Sequence, residues 1–298
     1  MKSFNTIYTN IQNVTKNTTA TAVTQYKDWI NETHHLINSM KDWAYLETTR
    51  NITTVASTEA YDLPEDCRKV MDVYLTVGTQ VYLLQPIEQA EKYSYYKALN
   101  LSSSDVPQVY YIDYDTIRIF PATASASNTL TIRYRRKTKD MTADDYTTGT
   151  VTLTNADETV TGSGTTFTAP MAGRWLRSST TGDYKWYEID TFTSATALEL
   201  RKKYNGTTTA GLSYTIGEMP LIPEPFHSLL EYRPLYLYYV QNENMAKARE
   251  YEKLYKEMLA DLIREQGSKS EANPETITDL HPNFNINDES NFRNPSGF

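Results

Sequence analysis

The longest run of patterned apolar and polar positions extends from Leu221 to Gln266. Pro223 and Pro225 stand where a helix can begin, since first-turn N–H groups have no intrahelical acceptor to lose. Phe226, Leu229, Leu230, Leu235, Leu237 and Val240 then make a helix apolar on most sides, which predicts burial. Pro234 lies inside it and predicts a kink or a break. Asn242 and Asn244 mark a joint. From Met245, residues Ala248, Tyr251, Leu254, Tyr255, Met258 and Leu262 recur at helical spacing with Lys and Glu between them. Gly267 is placed to end this second helix.

Nearer the N-terminus, Ile7, Ile11 and Val14 predict a short amphipathic helix over Asn5 to Val14. Val23, Tyr26, Ile30, Ile37, Met40 and Trp43 predict a longer one from about Ala20 to Leu46. Paired with the C-terminal hairpin, it closes a small helical bundle. From Asn51 the period changes. Strands are predicted at Val70 to Leu75 and Thr79 to Leu84 with Gly78 at their turn, then at Tyr110 to Ile112, Thr116 to Phe120 and Thr129 to Tyr134. Apolar and polar residues alternate in the last two, as in a sheet buried on one face. Ile87 to Leu99 reads as helical.

Residues 147–217 are rich in Thr, Ser and Gly and carry their own strand series: Thr150 to Leu153, Glu158 to Val160, Trp175 to Arg177, Lys185 to Ile189 and Leu198 to Leu200. Gly162-Ser163-Gly164, Thr181-Gly182-Asp183 and Asn205-Gly206 separate them, which predicts a small barrel or sandwich. Helical sequence resumes after Gly217, so this unit reads as an insertion. The prediction is an α+β chain. Residues 1–146 and 218–266 form a discontinuous core of helical bundle and β platform, 147–217 an inserted β domain, and 267–298 an extended C-terminal arm.

Composition narrows the chemistry. The net charge is −8, so there is no general nucleic-acid footprint. Tyr outnumbers Phe by 24 to 8, and tyrosine suits surfaces that become interfaces. Cys67 stands alone, which excludes an intrachain disulfide or a cysteine metal cluster. The opening MKSFNTIYTNIQ lacks an apolar signal core, and no run reaches the ~18 apolar residues of a membrane span. A protein without a membrane segment or an export signal is expected. His34 and His35 are neighbours and point to different sides of a helix, and no histidine spacing suits a metal. Glu65-Asp66 and Asp144-Asp145 lie beside turn signals and read as solvated turn residues rather than acid–base pairs. Gly162-Ser163-Gly164 lacks the following Lys and helix of a phosphate loop. Trp175, Tyr184, Trp186 and Tyr187 fit a sugar-stacking platform, but a module this small needs core aromatics, and core is the reading preferred. Arg133, Arg135, Arg136, Lys137 and Lys139 form a basic cluster, with Arg133 and Arg135 on one strand face. A solvated strand end and a phosphate-facing surface explain it equally well.

The order of features resembles the head-to-tail adaptor proteins of tailed bacteriophages, the P22-like and T7-like connector ring family. Trp43 and Leu46 end a helix, Tyr61-Asp62-Leu63-Pro64-Glu65-Asp66 precedes the first strand, and Pro107, Tyr110-Tyr111 and Ile119-Phe120-Pro121 follow. Thr131-Ile132-Arg133-Tyr134-Arg135 and Leu221-Ile222-Pro223-Glu224 with Phe226-His227 complete the series. Thr159 to Phe167, Gly173 to Arg177 and Tyr204 to Thr207 resemble a small β module of phage neck and tail proteins. The resemblance implies a non-enzymatic structural protein without cofactors, assembled in the host cytoplasm and resident in the virion neck. Its subunits would form a ring, commonly of twelve, that joins the portal protein to other tail and neck proteins. Double-stranded DNA would pass without sequence specificity, and the basic cluster would face the lumen or rim. Ile277, Leu280, Phe284, Ile286, Phe292 and Phe298 are spaced singly along the polar tail, as anchors of an arm docking on the portal or a neighbouring subunit would be. Two alternatives belong to other classes: a tail-associated carbohydrate-binding protein, and a neck protein with cell-wall hydrolase activity.

Overall fold

Ser3 starts the first helix because its Oγ accepts from the Thr6 N–H at 3.2 Å, satisfying a donor that has no intrahelical partner. The structure, a computed structural model, describes residues 1–91, 106–123, 126–179, 183 and 185–278, with backbone alone for 267–278. Helix α1 (Phe4–Thr15) buries Phe4, Ile7, Tyr8 and Ile11, one face at helical spacing. Helix α2 (Ala20–Met40) buries Ala22, Tyr26, Ile30, Thr33, His34 and Ile37. It stops at Met40 rather than Leu46, because Lys41 is extended at φ −146° and ψ 167°. Trp43, expected as a helical position, instead folds back, and its Nε1–H donates to the Ile37 carbonyl at 2.7 Å. A bulky apolar residue thus serves a helix end as a cap.

Pro223 and Pro225 open a short 3-10 turn, Glu224–Phe226, ahead of α3 (Leu229–Gln241). Helix α3 passes Pro234 as one unbroken element. Asn242 Nδ2 donates to the Tyr238 carbonyl at 2.8 Å, and Asn244 Oδ1 accepts from the Lys247 N–H at 3.3 Å, so the two asparagines close one helix and open the next. Helix α4 (Met245–Thr278) does not end at Gly267. A glycine inside a helix costs about 1 kcal/mol, which a long neighbouring helix tolerates. Residues 267–278 of the expected arm are therefore helical, and 279–298 lie outside the described residues. The four helices share one apolar core that includes Phe4, Tyr26, Ile30, Leu229, Leu230 and Leu262.

The chain is mixed α+β, with two curled sheets beside these helices. The first sheet has seven strands in the order β1-β7-β3-β4-β5-β6-β2. They are β1 (Glu47–Thr53), β2 (Ala60–Asp62), β3 (Cys67–Val77), β4 (Gln80–Pro86), β5 (Val109–Asp113), β6 (Thr116–Phe120) and β7 (Thr129–Arg136). Gly78 holds φ 61° as the first of two loop residues between the paired Val77 and Gln80, where a II′ hairpin turn requires it. Val73, Leu75, Ile117, Ile119, Leu130 and Ile132 fill the inner face. Strand β1 has no alternation to give it away, since Thr49, Arg50, Asn51 and Thr53 are all exposed on a sheet edge. Of the expected helix Ile87 to Leu99, the described part holds a 3-10 turn, Gln89–Glu91, and 92–99 lie outside the described residues.

The second sheet lies wholly within residues 150–217 and has its own core. Its order is β13-β8-β9-β12-β11-β10-β14. The strands are β8 (Thr150–Leu153), β9 (Thr159–Ser163), β10 (Trp175–Ser178), β11 (Tyr187–Ser194), β12 (Ala197–Leu200), β13 (Thr209–Leu212) and β14 (Tyr214–Gly217). Strands β13 and β14 carry no sequence signal strong enough to stand out from the Thr- and Gly-rich background. Just outside the sheet, Tyr146 and Ile216 exchange backbone bonds of 2.8 Å each way, so chain entry and exit are neighbours.

Candidate functional site

Where the first sheet, the second sheet and the helices meet, they enclose a cleft of about 1250 Å³. Thr48, Thr49, Arg50 and Asn51 of edge strand β1 form one wall. Lys137, Lys139, Asp140 and Met141 and the 169–174 turn form others, and the buried His34 of α2 also lines it. Three side-chain nitrogens here lack a hydrogen-bond partner although they are buried: His34 Nδ1, Arg136 Nε and Arg174 Nε. His34 is 2% exposed, and burial lowers its pKa from 6.5 to about 3. Its Nε2 accepts from the Leu221 N–H at 3.1 Å, so the neutral ring carries its proton on Nδ1. All three orphaned atoms are therefore donors.

The basic cluster borders this cleft and is internally compensated. Burial along β7 alternates, with Leu130, Ile132 and Tyr134 inward, so Arg133 and Arg135 do share the other face. Arg133 reaches Glu47 at 2.7 Å and Asp72 at 3.1 Å, and the Glu47 hydrogen bond is the main cause raising its pKa. Arg135 pairs with Asp42 and, at 3.4 Å, with Glu47. Arg136 lies 3.9 Å from both Asp66 and Glu188, and its Nη2 donates to Thr48 Oγ1 at 3.3 Å. Lys139 pairs with Glu65 at 3.2 Å. Lys137 has no carboxylate in ion-pair reach among the described residues. Arg201 Nη2 donates to Thr48 Oγ1 at 3.2 Å while its Nη1 meets Glu188 Oε1 at 3.2 Å, which ties the second sheet to β1. Ion pairs thus staple the three units together around the cleft.

The carboxylate pairs do more than face water. Asp66 accepts from the Tyr134 hydroxyl at 2.8 Å. Asp144 pairs with Lys27 at 2.7 Å, which is the largest cause lowering its pKa, and accepts from the Tyr8 hydroxyl at 2.8 Å. Asp145 accepts from Ser3, and burial raises its pKa. Glu65 and Asp66 occupy a turn, and Glu65 and Asp144 are exposed as expected, whereas Asp66 and Asp145 are half-buried by the partners that hydrogen-bond them. Lys2 extends the same joint, with its Nζ 2.9 Å from Glu231 of α3. His227 is buried and neutral, its pKa lowered from 6.5 to about 4 by burial. Its Nε2–H donates to the Ile222 carbonyl at 3.0 Å, and Nδ1 accepts from the Lys2 N–H at 3.1 Å.

His35 is on the exposed side of α2, 2.7 Å from Asp140, while its neighbour His34 is buried, as adjacent helix positions demand. Of the insert aromatics, Tyr187 is in the second core as expected, whereas Trp175 and Trp186 are half-buried and do not belong to it. Arg177 stacks over Trp186 at 4.7 Å, and Tyr184 lies outside the described residues. Among the described residues, no three His, Cys, Asp or Glu side chains converge as a metal site, and no helix is long and apolar enough to cross a membrane. Ile277 lies on the backbone path of α4; Leu280, Phe284, Ile286, Phe292 and Phe298 lie outside the described residues. The cleft itself was missed in the sequence, because its walls come from positions far apart in the chain.

No curated protein matches the chain. The protein-family model described as SU10 adaptor protein matches residues 4–163, more than half of the 298 residues. The matched region runs from α1 through α2 and the whole first sheet to the end of β9. It spans the elements whose ion pairs converge on β7. The chain belongs to the SU10 adaptor protein family and is a structural adaptor of phage virions.

Proposed function

We propose that the chain is the subunit of a homo-oligomeric neck ring that attaches to the portal protein on one side and to tail components on the other. The observation that carries this reading is the adaptor-family match over residues 4–163. The order of motifs from Trp43 to Phe226 supports the narrower likeness to P22-like and T7-like connector rings, commonly of twelve subunits. Half-exposed tyrosines on α3 and α4, among them Tyr232, Tyr236 and Tyr251, supply the interface chemistry such contacts use. A heterologous contact repeated around a closed axis makes a ring.

Duplex DNA passing through such a ring needs a surface that does not hold it. Affinity for phosphates grows with the number of cations that release counterions. Arg133, Arg135, Arg136 and Lys139 already have carboxylate partners, so in this reading they brace the subunit, and Lys137 is the cluster member left to meet phosphate. The arm after Gln266 reaches the portal or the neighbouring subunit, with Phe284, Ile286 and Phe292 as its anchors. Mass photometry of the purified chain, alone and mixed with portal protein, tests the reading. Rings that form on mixing are expected. A chain that stays monomeric beside assembled portal rings overturns it.

A further inference from the structure

Tyr114 is 95% exposed at the tip of the β5–β6 hairpin. Asp113 and Thr116 pair across it, so Tyr114 and Asp115 are the two loop residues, and Tyr114 holds φ 58°. Hairpin turns of this length favour Gly or Asn at such a position, because a bulky side chain in left-handed backbone is strained. The β3–β4 turn follows that preference, with Gly78 at φ 61°. At 95% exposure the Tyr114 ring adds almost nothing to the core, so no packing within the chain offsets its strain. Tyrosine is also one of the side chains that dominate a protein contact once a pocket receives them.

The tip is acidic. Asp113 and Asp115 flank Tyr114, and Asp62 ends β2 opposite Thr116. Arg118, 3.2 Å from Asp113, is the one cation paired with these three among the described residues. The cleft is its complement. Most of the cleft's carboxylates are engaged: Glu65 with Lys139, Asp66 with Arg136, Glu188 with Arg136 and Arg201, and Asp140 with His35. Glu218 accepts from the Thr142 and Ala143 N–H groups at 2.6 and 2.8 Å. Asp190 is left over, against Arg50, Lys137 and Arg174, which have no carboxylate in ion-pair reach among the described residues. Arg50 pairs with Ile132 in the ladder and so stands on the strand face that carries Tyr134 and Arg136. Pro64, Pro170 and Leu221 line the same cleft and offer a ring apolar contact. Complementary charge steers such a contact and fixes its register.

We infer that the Tyr114 tip docks in the cleft of a neighbouring copy, its ring against Pro64, Pro170 and Leu221 and its carboxylates beside Arg50 and Arg174. A side chain 95% exposed does not fill the cleft of its own chain. Tip and cleft are different patches of one surface, so the contact can repeat from copy to copy. The choice of a second copy as host rests on the ring reading; the strain at Tyr114 and the charge match do not.

Photocrosslinking tests it, with the full chain carrying Tyr114→benzoylphenylalanine mixed with isotope-labelled wild type and portal protein. Crosslinked peptides should join position 114 of one copy to residues 48–51, 137–141 or 169–174 of the labelled one. Arg50→Glu in the labelled copy, on an exposed strand edge, should lower that yield ~10-fold or more. Tyr114→Gly should keep or raise the urea midpoint, because glycine accepts the backbone without strain, while weakening assembly ~10-fold or more. A lowered midpoint with assembly intact would make Tyr114 a residue of the fold and overturn the inference. Crosslinks to another surface of the second copy, to portal protein alone or to nothing overturn it even where mass photometry shows rings. Cleft crosslinks between copies that never close into rings uphold the contact and refute the ring.

Discussion

Ser3 Oγ donates to Asp145 Oδ2 at 2.9 Å, so the cap of the first helix is itself held by the residue just ahead of the second sheet. Gly217, where that sheet ends, sits against the same pair. A Cβ on Gly217 would lie 2.7 Å from Asp145 Oδ1 and 2.8 Å from Ser3 Cβ. The chain start, the entry of the 147–217 unit and its exit therefore converge on one point. Gly217→Ala should cost about 1–3 kcal/mol by overpacking, and Ser3→Ala a similar amount through the lost cap and the stranded carboxylate. Urea midpoints check both. The double variant should fall short of the sum, because the two changes share one contact.

Acid should destabilise the chain before any carboxylate titrates in bulk. Burial holds His34 down at about 3 and His227 at about 4, against 6.5 in the unfolded chain. Below pH 6.5 the unfolded state binds protons that the folded state refuses, so stability falls as pH drops toward those values. Between pH 7.5 and 5 each histidine should remove about 2 kcal/mol. Asp145, its pKa raised by burial, binds its proton more readily in the folded chain and so works in the opposite direction where it titrates. His34→Gln keeps an acceptor for the Leu221 N–H and cannot be protonated. Its urea midpoint should depend less steeply on pH than that of the wild type, and an unchanged slope would remove His34 from this account.

Much of this architecture was readable because periodic burial leaves a periodic sequence. Leu130, Ile132 and Tyr134 alternate with Arg133 and Arg135, and the strand they predict is β7. Phe4 to Ile11 and Ala22 to Ile37 likewise mark helix faces buried in one core. Edges and ends were harder. Strand β1 borrows its hydrophobic partners from β7, so its own residues are free to be polar. Trp43 keeps the helical spacing of α2 but lies past the extended Lys41 and caps the helix from outside it. Gly267 has the right identity for a helix stop, yet local preference is about 1 kcal/mol and α4 continues. The cleft was invisible for a different reason. His34, Arg50, Arg136 and Arg174 have no motif between them, and their only relation is the fold.

The shared helical core should dominate stability. Leu229 on α3 and Leu262 on α4 are both fully buried in it. Truncation to alanine removes three heavy atoms and leaves a cavity, costing about 2–5 kcal/mol at each site. Chemical denaturation followed by far-UV circular dichroism should show both midpoints shifted, with the m-value kept. An unmoved midpoint for either variant would place that leucine outside the cooperative core.

Removal of residues 147–217 should leave the helices and first sheet folded. The second sheet has its own core, which shares no buried residue with the other two. Its boundaries are close in space, because Tyr146 and Ile216 are paired through 2.8 Å backbone bonds. A short Gly-Ser linker can therefore span the gap without forcing the chain to reach. The deletion does break ties. It removes Glu188 and Arg201, which bind Arg136 and Thr48, and it leaves Ser3 and Asp145 without Gly217 beside them. These are partly exposed ion pairs and one contact, a loss of a few kcal/mol against a core that stays whole. The deleted chain should keep its helical circular dichroism per helical residue and unfold cooperatively at a lower midpoint. A non-cooperative transition would mean that the second sheet completes the first core instead of hanging from it.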